Sequence, residues 1–176
     1  TSLPNTIVKN NVVQNCVETG IEGPYELVYH NTVKNTGENS VARYTGSTEA
    51  IYIKPTTEFE QKYIGNTIET RGLRCFSSYS NRDDEYKGIY ILNNSMNLKN
   101  TDASIACNYT RSDIEINCKK IKKIVIENNT GMMKDKKSVN IYTDKGYVMD
   151  YFSIHNPCMI GSVPEKARYC FNINNN

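Results

Sequence analysis

Tyr90-Ile-Leu-Asn-Asn-Ser-Met96 is one of six near-copies of a single heptapeptide pattern. The others are Ile7-Val-Lys-Asn-Asn-Val-Val13, Leu27-Val-Tyr-His-Asn-Thr-Val33, Lys62-Tyr-Ile-Gly-Asn-Thr-Ile68, Val125-Ile-Glu-Asn-Asn-Thr-Gly131 and Phe152-Ser-Ile-His-Asn-Pro-Cys158. Superposed, they align Asn11, Asn31, Asn66, Asn94, Asn129 and Asn156. Three positions earlier stand Val8, Val28, Tyr63, Ile91, Ile126 and Ser153; two positions later stand Val13, Val33, Ile68, Met96, Gly131 and Cys158. Two mostly apolar columns at fixed offsets from one Asn describe short strands flanking a polar corner.

A second, weaker strand column follows most of the corners, in Val41-Ala-Arg-Tyr-Thr45, Leu73-Arg-Cys-Phe-Ser77, Ile105-Ala-Cys-Asn-Tyr-Thr110, Val139-Asn-Ile-Tyr-Thr143 and Ala167-Arg-Tyr-Cys-Phe171. A third shows in Ala50-Ile-Tyr-Ile-Lys54 and Asp113-Ile-Glu-Ile-Asn117. An irregular period of about 20 to 35 residues built from strands excludes helical repeats and predicts an all-β parallel solenoid of about six coils. Asn suits its corner, because the amide both donates and accepts and the residue tolerates left-handed backbone; an Asn ladder is therefore expected. At about 4.8 Å per coil the body is about 29 Å tall.

Composition agrees with this reading. The 176 residues allow one domain, taken as residues 1–176, and 13 Tyr with many β-branched residues and little Ala argue against helices. A net charge of +2 with scattered basic residues implies no nucleic-acid partner, and no apolar run spans a membrane. The opening Thr-Ser-Leu-Pro-Asn lacks an initiator Met and a signal-peptide pattern, so the expectation is a processed chain or part of a longer one. Six Cys without a Cys-x-x-Cys pair favour buried free thiols over disulfides or a zinc site.

The repeats and their Asn corners resemble the right-handed parallel β-helix proteins of the pectin-lyase-like superfamily, most of all bacteriophage tailspikes. The resemblance spans about residues 6 to 174. It implies a trimer on a virion tail, or an extracellular protein, that recognises a bacterial surface polysaccharide and in some members depolymerises it. No resident cofactor is implied, although a lyase of this group would add Ca²⁺. A monomeric polysaccharide lyase or glycoside hydrolase and a non-catalytic shaft or adhesin are the alternatives.

The functional residues of a solenoid lie on its outer faces and insertions, since its interior is filled. Two polar insertions stand out: Pro55-Thr-Thr-Glu-Phe-Glu-Gln-Lys62 and Ser78-Tyr-Ser-Asn-Arg-Asp-Asp-Glu-Tyr-Lys-Gly88. They are expected to neighbour each other, bringing Glu58 and Glu60 towards Asp83, Asp84 and Glu85 as candidate catalytic carboxylates. Glycoside hydrolysis needs a carboxyl pair about 5 Å or about 6.5 to 9.5 Å apart. Phe59, Tyr79 and Tyr86 are candidate stacking surfaces for sugar rings, and Arg82 is a candidate substrate contact. The plainer reading is a solvated acidic loop. His30 and His155 each precede a corner Asn, in the column of Asn10, Gly65, Asn93 and Asn128, and four coils separate them, too far for a shared metal. The run Lys119-Lys-Ile-Lys-Lys123 reads as an exposed corner, with an acidic polysaccharide as the functional alternative.

Overall fold

The computed structural model describes residues 5–36, 48–99, 112–132 and 139–156, together with the backbone of 171–175. Sixteen strands and no helix occur among them: β1 (Ile7–Lys9), β2 (Val12–Gln14), β3 (Ile21–Gly23), β4 (Leu27–Tyr29), β5 (Thr32–Thr36), β6 (Glu49–Ile53), β7 (Glu60–Ile64), β8 (Thr67–Thr70), β9 (Arg74–Tyr86), β10 (Gly88–Leu92), β11 (Ser95–Leu98), β12 (Ser112–Ile121), β13 (Lys123–Glu127), β14 (Val139–Thr143), β15 (Tyr151–His155) and β16 (Phe171–Asn175). They form three parallel sheets, ordered β1-β4-β7-β10-β13-β15, β2-β5-β8-β11 and β3-β6-β9-β12-β14-β16. Through β12 the chain visits the three in strict rotation, an arrangement compatible with a β-solenoid.

The first sheet stacks Val8, Val28, Tyr63, Ile91, Ile126 and Ile154 in one register row. The second stacks Val13, Val33, Ile68 and Met96. The third stacks Ile51, Phe76, Ile114 and Val139, then Ile53, Ser78, Ile116 and Ile141. Most of these side chains are completely buried, and the Tyr63 and Phe76 rings meet edge to face at 5.9 Å across the interior. Burying one such side chain stabilises the fold by about 1.5–3 kcal/mol.

Three expectations change. Ser153 does not occupy the inward row; its neighbour Ile154 does, because β15 reaches its corner one residue sooner than the other strands of this sheet. After those strands the residue before the corner Asn is left-handed, with φ of 56° at Asn10, 50° at His30, 62° at Gly65, and 55° at Asn93 and Asn128. His155 lies within β15 instead, so no extra residue is inserted there. Next, the second and third strand columns are one sheet, since Ile51 pairs with Phe76 and Phe76 with Ile114. Val41–Thr45, Ile105–Thr110 and Ala167–Tyr169, with Cys107, Cys158 and Cys170, lie outside the described residues. Finally, among the described residues the second sheet ends at one bridge between Ser95 and Thr130. Gly131 cannot continue the apolar column: its φ is 74°, and an added Cβ would lie 2.1 Å from the Met96 carbonyl oxygen.

At the corner between the first two sheets the aligned Asn residues bond in succession. The Asn11 N–H and Nδ2 both donate to Asn31 Oδ1 (3.0 Å each), and Asn31 donates in the same way to Asn66 (2.9 and 3.1 Å). Asn66 donates to Asn94 (2.8 and 2.9 Å), Asn94 to Asn129 (2.9 and 3.0 Å) and Asn129 to Asn156 (2.9 Å each). Each of the middle amides also donates to a carbonyl of the preceding strand of the first sheet, as Asn66 does to Val28 O at 3.0 Å. Buried polar groups are tolerated here because every one is paired.

Candidate functional site

Alternation along the third sheet sends Ile51, Phe76, Ile114 and Ile141 inward, and therefore Tyr52, Ser77, Tyr79, Glu115, Asn117, Asn140 and Tyr142 outward. Register orders these into two rows. Tyr52, Ser77, Glu115 and Asn140 form one; Tyr79, Asn117 and Tyr142 form the other. In the first row Ser77 and Asn140 are buried despite facing out. The second is more open, with Tyr79 54% exposed and Asn117 and Tyr142 half-buried. The Tyr52 hydroxyl donates to the Tyr79 carbonyl oxygen at 3.4 Å, tying the two rows together.

The segment Ser78–Gly88 is mostly strand rather than loop. Ser78 to Ser80 pair with Ile116 to Cys118, and Glu85 and Tyr86 pair with Lys120 and Ile121. The register shift between these pairs leaves Asn81, Arg82, Asp83 and Asp84 as an exposed bulge opposite Lys119. Polar residues are compatible with a strand here because only the backbone pairs while the side chains face water.

The candidate carboxylates are set against the lysine run. Asp83 accepts from Lys119 Nζ at 2.8 Å, Glu85 pairs with Lys122 at 3.1 Å, and Glu60 pairs with Lys123 at 2.9 Å. The Tyr147 hydroxyl adds a hydrogen bond to Glu85 at 3.2 Å. In each case the lysine hydrogen bond holds the carboxyl below its ordinary range. Such groups stay ionised at neutral pH, whereas a general acid needs a raised pKa. The segments around Glu58 and Asp83 do meet, through the Lys87 N–H donating to Thr56 O at 3.2 Å. Glu58 and Asp84 are exposed, and Phe59 is half-buried. Tyr86 is 4% exposed, its hydroxyl 2.5 Å from Ser80 Oγ, so its ring offers no face to a sugar.

Sequence reasoning passed over the buried polar group at the start of these strands. Glu49 (β6) is fully buried and accepts from Arg74 Nη1 (β9) at 3.3 Å; Arg74 Nη2 pairs with Glu115 (β12) at 3.0 Å. Among the described residues Glu49 Oε2 and Arg74 Nε have no hydrogen-bond partner. Burial pushes the Glu49 carboxyl up to about 7 in spite of Arg74. The sequence signal was faint: Glu49 and Arg74 each stand two residues before an inward apolar residue, Ile51 and Phe76.

The described thiols are free, with Cys75 and Cys118 buried and Cys16 half-buried. Burial drives the Cys75 thiol well above its ordinary value and Cys118 up to about 11, so neither is an activated nucleophile. His30 is exposed and stacks on Tyr29 at 3.7 Å, while the exposed His155 ends β15. Among the described residues no group of three or more His, Cys, Asp and Glu is arranged to hold a metal, and no helix is long and apolar enough to cross a membrane. No family model matches the chain, and no curated protein or solved structure is significantly similar to it.

Proposed function

We propose that the chain is a right-handed parallel β-helix of about six coils, similar to a tailspike segment, that binds a bacterial surface polysaccharide on the outer face of its third sheet. The observation that carries this reading is the row Tyr79, Asn117 and Tyr142 on adjacent parallel strands. Aromatic faces pack against the C–H faces of sugars, amides reach their hydroxyls, and a sheet holds both in place before binding. Three parallel sheets visited in rotation and the bonded Asn series support the helical coil. The trimer and the virion tail come with the resemblance.

Binding without cleavage is the better fit. Asp83, Glu85 and Glu60 are each neutralised by a lysine, and none has the raised pKa of a proton donor. The test is affinity electrophoresis of the protein through gels containing purified bacterial capsular or O-antigen polysaccharides. Tyr79→Ala is expected to weaken retention about tenfold without changing the melting temperature, as loss of a sugar-stacking ring does. Unchanged retention in a folded variant would remove the third sheet as the binding face.

A further inference from the structure

Resting on that reading, we infer that the site takes an uncharged polysaccharide laid across the strands, with aromatic contact to alternate sugars. Two observations carry it, and the first is charge. The sequence offers Lys119, Lys120, Lys122 and Lys123 to an acidic polymer, but three of the four are engaged: Lys119 with Asp83, Lys122 with Glu85 and Lys123 with Glu60. On the opposite border Lys54 is paired with Glu22 at 2.7 Å, and at the start of the strands Arg74 lies between Glu49 and Glu115. The bulge adds one charge of each sign through Arg82 and Asp84. Most of the cations bordering the aromatic row, Lys120 excepted, thus carry anions of their own, and a uronate or sialate polymer would have to displace these to be held by more than one of them. Recognition of an acidic chain needs unspent cations.

The second observation is spacing. Tyr79, Asn117 and Tyr142 are register partners on β9, β12 and β14, so the two rings are two strand spacings apart, roughly 9.6 Å, with the amide midway. That is the scale of two pyranose rings. A chain running perpendicular to the strands would place one sugar on each ring and present the sugar between them to Asn117. No charge is required at any of the three positions, and none is present.

Immobilised dextran, yeast mannan and linear β-glucan serve as neutral probes, with alginate, hyaluronan and polygalacturonate as acidic ones, each at low and high NaCl. The expected result is retention on at least one neutral polymer, unchanged by salt, and weakened about tenfold by Tyr79→Ala and by Tyr142→Ala, each shown folded by its circular dichroism. Retention on the acidic polymers alone, falling with salt yet still dependent on Tyr79, would overturn the neutral class and leave carbohydrate binding standing. Salt-sensitive retention indifferent to both tyrosine variants would place the ligand elsewhere. Retention on none of the six would overturn this inference and the carbohydrate reading together.

Discussion

Glu49 places a carboxyl where water does not reach it, with one oxygen on Arg74 and the other, among the described residues, without a hydrogen-bond partner. Its charged form is disfavoured by burial and only partly recovered by Arg74, which is shared with Glu115. The folded chain holds this proton to about pH 7, whereas a solvated Glu releases it near 4.5. Between those values the folded state binds more protons than the unfolded one, so stability falls as pH rises, and above about 7 the loss is complete. A shift of this size corresponds to something on the order of 3 kcal/mol. Glu49→Gln keeps an oxygen for Arg74 and removes the titration. Its melting temperature should exceed the parent's above pH 7, and its decline between pH 4.5 and 7 should be much shallower. Parallel melting profiles for the two proteins would show that Glu49 stays ionised in the fold. Thr48-Glu49-Ala50 foretells this only through the spacing of Glu49 from Ile51, because burial of a charged side chain is decided by what packs over it.

At the scale of the element, the corner before each aligned Asn is a left-handed residue inserted between strand and amide. Non-glycine residues seldom adopt that backbone, and Asn and His are among those that do so most readily. This is why Asn10, His30, Gly65, Asn93 and Asn128 share a column, and why the two apolar columns around the Asn could be read directly from the chain. Strand β15 lacks the insertion, and an alignment anchored on Asn156 therefore puts Ser153 where Ile154 packs. The third sheet was harder to read: its strands begin at different distances from the corner, and the outward Tyr79, Asn117 and Tyr142 align only once the strands are paired. Tyr79 was visible as an exposed aromatic in a polar stretch, whereas the burial of Tyr86 and the lysine partners of Asp83 and Glu85 depend on the neighbouring strand. The same column sets a sharp packing rule. The His30 ring lies over Gly65, so that an added Cβ would sit 2.4 Å from its Cδ2, and the φ of 62° at Gly65 is itself unfavourable for Ala. Gly65→Ala is expected to cost about 2 kcal/mol or more in urea denaturation, and His30→Gly in the same chain to return at least about 1 kcal/mol of it. Additive losses in the double variant would mean that the ring and the added methyl do not collide.

Across the whole molecule, stability in a stack of parallel strands that each pair only with their neighbours is close to a sum of terms between those neighbours, so the same substitution should cost more in the middle than at an end. The Asn series allows that to be measured with one residue type. Asn66 is buried, accepts from the Asn31 N–H and Nδ2, and donates to Val28 O and Asn94 Oδ1. Asn66→Ala would strand the Asn31 N–H and take one of two hydrogen bonds from both the Val28 carbonyl and Asn94 Oδ1, in a cavity left by the lost side chain, at about 1–3 kcal/mol for the buried group left unpaired and less for each weakened one. Its total cost should exceed about 3 kcal/mol. Asn11 is exposed and only donates along the series, to Asn31 and to Lys9 O, so Asn11→Ala leaves its partner with other donors or with water. Its cost should stay below about 1 kcal/mol. Urea unfolding of the two variants gives the comparison directly. Equal losses would mean that the chain unfolds from the Asn11 end in one step that already includes Asn66. A central loss several times the terminal one is the signature of neighbouring repeats that hold one another in place through the amide series.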